Sequence, residues 1–349
     1  MTSATANTSY VQVPTPTGLL HPVLLDFFLA FNLAICSEIL GIFGIISNII
    51  NIIIFTKQGF DDTVNITLVA MAISNIGALV TLQVFNIMVN PWFMKADLSF
   101  IATDIASFVS FYPHNYFIRV CGFITAFASL ERCLCVVFPF TFKRFITKHV
   151  VLGFNISIYF ISILNVFPVY YMAYLDWRFV VTLNKTLLGV NFRSNPDSVF
   201  GISYFITDLF VPYFTFFVII TCTLITGIKL KGSAKWKKSA TRIANIHTRD
   251  VSKKETKIVR MLSTVSAIFV VCLIPQSAIL TAVGLVRGLS IRGTYFDVAL
   301  LIYSIAFVME TFNSSINIFI YYNMSTKYKT TFLETIKTVK LKWAYSDQI

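Results

Sequence analysis

Ser129-Leu130-Glu131-Arg132-Cys133-Leu134-Cys135-Val136-Val137-Phe138-Pro139 closes a long apolar run with an acid–arginine pair and, seven residues after the arginine, a proline. Charges at a membrane boundary are costly unless partnered, so such a pair is read as functional and its partner is sought elsewhere in the chain. Working outward, the pair ends the third of seven apolar segments, each long enough for the roughly 20 residues a helical span needs. The segments lie near Phe27–Phe55, Val64–Val89, Phe100–Val137, Val150–Ala173, Val199–Lys229, Lys257–Val286 and Phe296–Asn323. The third carries Asp104, His114 and Arg119 inside its apolar frame.

Composition supports lipid as the solvent for most of the chain. Of 349 residues, 56% are hydrophobic and 13% charged, where soluble domains carry about 25% charged residues. The net charge of +12 is concentrated between the apolar runs. There it sets topology rather than forming a nucleic-acid surface. Twenty Lys and Arg fall in the connections on one side, including eleven from Lys229 to Arg260, and six on the other. The positive-inside rule then puts the N-terminus outside and the C-terminus in the cytoplasm of a multi-pass plasma-membrane protein. Two glycosylation sequons, at Asn7 and Asn184, land outside, although Asn65, Asn155, Asn313 and Asn323 begin sequons in membrane or inner positions.

The expected organisation is an all-α seven-helix bundle. Residues 1–26 form an outer disordered tail, rich in Thr, Ser and Pro. Residues 27–323 form the membrane domain, and residues 324–349 a cytoplasmic amphipathic helix and tail. Residues 1–22 contain no basic residue and no early apolar core, so the first span is expected to act as its own uncleaved insertion signal. In Thr326–Leu341, Tyr328, Phe332, Leu333, Ile336 and Val339 share a helical face flanked by lysines, as in a helix lying on an anionic leaflet. The six cysteines avoid the expected outer loops, so neither a disulfide nor a metal site is expected. No metal-ligand spacing, nucleophile elbow or phosphate-binding glycine loop is present, so neither an enzyme nor a cofactor is expected.

Taken with its position as the third of seven, the Glu131-Arg132 pair with Pro139 resembles the signature of rhodopsin-like (class A) G-protein-coupled receptors, with Cys133 in place of the usual aromatic. Phe269-x-x-Cys272-Leu273-x-Pro275 is similar to the family's sixth-span hinge with Leu273 for tryptophan. Asn313-Ser314-x-x-Asn317-Ile318-x-x-Tyr321 is similar to its seventh-span motif with Ile318 for proline. Pro212 matches the fifth-span proline, and Ile220 replaces a tyrosine. Asn48 and Asn65-x-x-Leu68-x-x-Met71-Ala72-x-x-Asn75 follow the first two spans, with Asn75 for the aspartate. Neutral Asn75 argues against a sodium site; Asn48, Asn75 and Asn317 are instead expected to hydrogen-bond as a cluster. The family's outer disulfide has no counterpart, since Ser107 stands at its position. These departures fit a divergent branch, such as the invertebrate orphan, chemosensory or neuropeptide receptors.

The resemblance implies a receptor that senses an extracellular ligand and activates a heterotrimeric G protein. It implies a latch of Glu131, Arg132 and Glu255, a hinge at Pro275, and switch roles for Asn317 and Tyr321. The inner loop from Gly227 to Lys257 would flank the G protein. Glu255 lies 20 residues before Pro275, ~30 Å down a helix. Ligand contacts are expected from His114, Asn115, Arg119, Asp208, Gln276 and Glu310, with Arg119 bridging to Asp208 or Glu310 as the structural alternative. Amine receptors of the family carry an aspartate where His114 stands, and opsins a seventh-span lysine that residues 296–322 lack. A peptide or polar small molecule remains. The competing readings are a transporter or channel, for which an internal repeat would speak, and a receptor that does not signal.

Overall fold

Among the described residues, seven helices long and apolar enough to cross a membrane follow one another along the chain. The structure, a computed structural model, describes residues 19–138, 146–193, 196–239, 246–289 and 293–346. Helix α1 spans Pro22–Gln58, α2 Thr63–Met88, α3 Ala102–Val137 and α4 Lys148–Met172. Two strands follow, β1 (Ala173–Val180) and β2 (Lys185–Phe192). Helix α5 is continuous through Pro196–Tyr204, Phe205–Phe210 and Val211–Ser239. Helix α6 spans Ile246–Leu285, α7 Phe296–Met324 and α8 Thr326–Ser346.

Local chemistry sets several boundaries. Helix α1 starts at Pro22, inside the stretch expected to be a disordered tail, because proline at a first helical position loses no hydrogen bond. Asp62 caps α2 by accepting the Val64 N–H at 3.3 Å, and Thr147 caps α4 through Val150 N–H at 3.4 Å. The basic segment Gly227–Lys257, read from sequence as an inner loop, is mostly helix: α5 runs on to Ser239 and α6 begins at Ile246. Lys, Ala and Arg are good helix formers, so the spans continue beyond their apolar parts.

Three stretches, Ala30–Ser37, Ser107–Phe111 and Phe205–Phe210, are π-helical turns within α1, α3 and α5. Such widened turns gather at functional sites. The one in α5 ends just before Pro212, whose missing N–H therefore falls where the hydrogen-bonding pattern resets.

Helix α3 is the axle, packing against α2, α4, α5 and α6, while α7 lies between α1 and α6. Helix α8 folds back onto α1 and α7. Tyr328 on α8 donates to Asn51 Oδ1 of α1 at 2.5 Å, and its ring lies against Phe55 and Tyr321. Polarity is inverted relative to a soluble protein. Asn48, Asn51, Ser74, Asn75, His114 and Glu310 are buried, whereas Ile42, Ile46, Phe160, Leu164, Phe217 and Ile228 face outward. An apolar exterior around a hydrogen-bonded interior is the arrangement lipid selects, and the chain is a multi-pass membrane protein.

The strands form an antiparallel hairpin pairing Ala173 with Phe192 and Val180 with Lys185. Asn184 closes it at φ 49°, a left-handed conformation that asparagine tolerates. The hairpin was not foreseen, although runs of Tyr, Trp, Phe and Val on either side of an Asn-Lys turn carry its signal. The bundle has a hairpin end and an α8 end.

Candidate functional site

The apolar frame of α3 carries ionisable residues along its length, and His114 and Arg119 in the bundle interior meet partners on other helices. His114 Nε2 lies 2.6 Å from Glu310 Oε1 of α7, and each side chain is 1% exposed. The same imidazole lies with Nδ1 2.9 Å from the Ala78 carbonyl of α2. A carbonyl can only accept, so Nδ1 carries a proton. Nε2 and Oε1 make no hydrogen bond of regular geometry among the described residues, so the His114–Glu310 contact is a close approach of two buried ionisable groups. Glu310 Oε2 has no hydrogen-bond partner among the described residues.

Just over one turn further along α3, Arg119 Nη2 donates to Asp208 Oδ1 of α5 at 2.8 Å. Thr207 donates to the other carboxylate oxygen at 2.8 Å. Of the two partners open to Arg119 from sequence, the structure takes Asp208, because Glu310 is occupied by His114. Helix α3 is thereby tied by ionisable groups to both α5 and α7.

His114, Arg119, Gln276 and Glu310, all expected to meet a ligand, are buried among neighbouring helices. Beneath Arg119, the space bounded by Ile118, Gly122, Thr215, Phe216 and Phe269 amounts to about 10 Å³. A single water needs about 10–15 Å³. Gln276 is buried with Oε1 unpartnered among the described residues, and Asn115 is half-buried.

In mid-bundle, Asn48 Nδ2 donates to the carbonyls of Gly44 and Ser314, each at 2.8 Å. Asn75 Nδ2 reaches Asn48 Oδ1 at 3.4 Å, and the Cys121 thiol donates to Asn75 Oδ1 at 3.3 Å. The cluster thus contains Asn48, Asn75 and Cys121. Asn317 is buried nearby, but the hydrogen bonds of Asn48 and Asn75 run to Gly44, Ser314 and Cys121 instead. Among the described residues no group of three or more His, Cys, Asp or Glu could hold a metal ion, and no disulfide joins the cysteines.

At the α8 end, Glu131 Oε1 accepts from Thr63 Oγ1 of α2 at 2.8 Å and from Arg132 Nη2 at 2.5 Å. The carboxylate, 1% exposed, therefore fastens the arginine to α2. Glu255 lies on α6, and its side chain falls outside the described residues. Arg132 Nε is buried with no acceptor among the described residues. Ser129 and Ser266 meet at 2.8 Å and join α3 to α6. Pro275 sits within α6; Tyr321 is buried against Phe55, ring centroids 5.1 Å apart. Thr63 and Ser266 escaped the sequence reading because isolated hydroxyls in apolar helices carry no spacing signal. Outside the spans, Lys148 hydrogen-bonds Asp61 and holds its carboxyl below the usual value.

At the hairpin end, Asp104 of α3 accepts from Arg178 of β1 at 2.6 Å and from the Val190 N–H of β2 at 3.2 Å, both on Oδ2. Backbone bonds from Ile101 to Leu188 and from Leu188 to Ser99 run alongside. A Cβ on Gly189 would lie 2.9 Å from Arg178 Nε and 3.1 Å from Asp104 Oδ2, so a larger residue there has to displace the paired side chains. Asn184 is exposed at the hairpin tip, and Asn7 lies outside the described residues.

No protein-family model matches the sequence, and no curated protein matches it.

Proposed function

We propose that this chain is a rhodopsin-like receptor of the plasma membrane that binds an extracellular peptide or polar small molecule and activates a heterotrimeric G protein. The hairpin end faces outward and the α8 end faces the cytosol, as the 20-to-6 lysine and arginine asymmetry favours. The observation that carries the reading is the charge pattern of α3. Towards the hairpin end, α3 pairs with α5 through Arg119–Asp208 and with α7 through His114–Glu310. At the other end it carries Arg132, restrained by Glu131 and Thr63.

A ligand that competes for one member of the outer pairs favours an arrangement in which α5 or α7 shifts. That difference in affinity between the two states supplies the driving force. The shift loosens the Ser129–Ser266 contact and the hold on Arg132, α6 swings about Pro275, and the α8 end opens to the G protein. Peptides and small polar metabolites screened on cells expressing the chain with a promiscuous G protein test the reading. A responding ligand whose signal disappears in Arg132→Ala at equal surface expression supports it. Glu255→Ala should raise basal signalling. A substrate flux or conductance carried by the chain, with no G-protein response, overturns the proposal in favour of a transporter or channel; buried ionisable pairs also occur in these.

A further inference from the structure

We infer that the α8 end contains a binding site for a single-chain anionic lipid, such as a fatty-acid carboxylate. A cavity of about 360 Å³ lies among α1, α2, α6 and the α7–α8 turn, within the range of about 300–1,000 Å³ that small-molecule sites occupy. Its floor is apolar, formed by Phe55, Leu68, Met261 and Met324. Phe55, Leu68 and Met261 are buried. Its rim carries Lys257 and Lys327, both exposed.

The polar groups at the rim are mostly donors. Lys257 Nζ donates to Thr326 Oγ1 at 3.3 Å and Lys327 Nζ to the Gln58 carbonyl at 3.2 Å. Both acceptors are neutral, and each ammonium has three N–H groups. Gln58 Nε2 is buried with no acceptor among the described residues. Asp62, also on the lining, has an oxygen engaged in capping α2 through Val64 N–H. Two cations, one partly engaged carboxylate and an idle amide N–H₂ over an apolar floor fit a ligand with an anionic head and a hydrocarbon tail. A neutral sterol leaves the donors unmet, and inorganic phosphate leaves the floor unfilled.

Lys257 is on α6 and Lys327 on α8, so an anion held by both reinforces the link already made by Lys257 and Thr326. The occupied site pins the end of α6 against the α7–α8 turn. In the orientation proposed above, which this regulatory consequence rests on, the rim faces the inner leaflet and the lipid restrains opening. The binding itself is independent of signalling and of orientation.

The test uses the full chain in phosphatidylcholine nanodiscs with a diazirine-bearing palmitate as photo-crosslinking probe. Saturable labelling at the peptides containing Met261 and Met324, competed by oleate but not by oleyl alcohol or inorganic phosphate, is expected. Lys257→Gln with Lys327→Gln should weaken labelling about tenfold or more, the effect of losing charge-assisted hydrogen bonds. Lys329→Gln, whose ammonium lies over the Tyr322 ring instead, should leave it unchanged. Met261→Trp should block it by filling the floor; the lysine pair, being exposed, keeps the test valid if that variant misfolds. Labelling that does not saturate, competition by inorganic phosphate or oleyl alcohol as strong as by oleate, or indifference to the lysine pair overturns the proposal.

Discussion

His114 of α3 and Glu310 of α7 meet at 2.6 Å in the buried centre of the bundle. The Ala78 carbonyl fixes the far side of the imidazole. Removing one member of a buried pair leaves an uncompensated polar group and costs about 3–5 kcal/mol, whereas apolar replacement of both is far milder. Glu310→Ala should therefore lower the Tm of the purified protein sharply, and His114→Leu with Glu310→Leu should recover most of the loss. A single substitution without effect on Tm would show that the pair is not a structural tie.

Arg119 and Asp208 join α3 to α5 at 2.8 Å. A double-mutant cycle with Arg119→Gln and Asp208→Asn should show coupling of about 0.5–3 kcal/mol, as for residues in direct contact. In the proposed receptor, losing about 1–2 kcal/mol from the closed state raises the open fraction about 5- to 30-fold. Basal G-protein activation by Asp208→Asn is the measurement, and a basal level equal to wild type at matched expression counts against the tie.

Helices α1 and α7 approach closely at Gly44, where an added Cβ would lie 2.2 Å from Ser315 Oγ and 2.7 Å from Leu79 Cδ1. Gly153 on α4 would meet nothing within 4 Å. Gly44→Ala should destabilise by about 1–3 kcal/mol through overpacking. Gly153→Ala should be neutral or stabilising, since alanine is the better helix former. Thermal unfolding of the two variants side by side checks the contrast.

The Asp104–Arg178 contact fastens the hairpin to α3 without a covalent link. With Arg178 43% exposed, solvent screening limits the pair to below about 1 kcal/mol. Asp104→Asn should increase protease cleavage of the hairpin modestly, and high salt should have the same effect on the wild type. Gly189→Val, which forces the pair apart, should do so more strongly. Equal resistance of all three proteins would show that the backbone bonds at Ile101 and Leu188 suffice alone.

Much of the bundle was legible because apolar length is a local property. The seven segments, the amphipathic face of α8 and the charged frame of α3 all follow from residues within one stretch of chain. The boundaries moved where a nonlocal or conformational reason prevailed: Pro22 starts α1 early, and lysine-rich extensions keep α5 and α6 helical. The hairpin lay hidden in what hydropathy treats as a connection. At the candidate site, the sequence supplied the ionisable residues but not their pairing. Arg119 could face Asp208 or Glu310 on equal terms, and Asn317 looked as suited to the amide cluster as Asn48.

What the sequence by itself determined is that this chain enters a membrane seven times, because burying so many apolar residues has no other solution at 13% charge. What only the tertiary structure decided is which polar group meets which. His114 took Glu310, Arg119 took Asp208, Cys121 joined Asn75, and Thr63 secured Glu131. In an apolar medium an unpartnered polar group is costly, and which partner a side chain takes depends on the rotation and depth of neighbouring helices. Spacing along one helix does not contain those quantities.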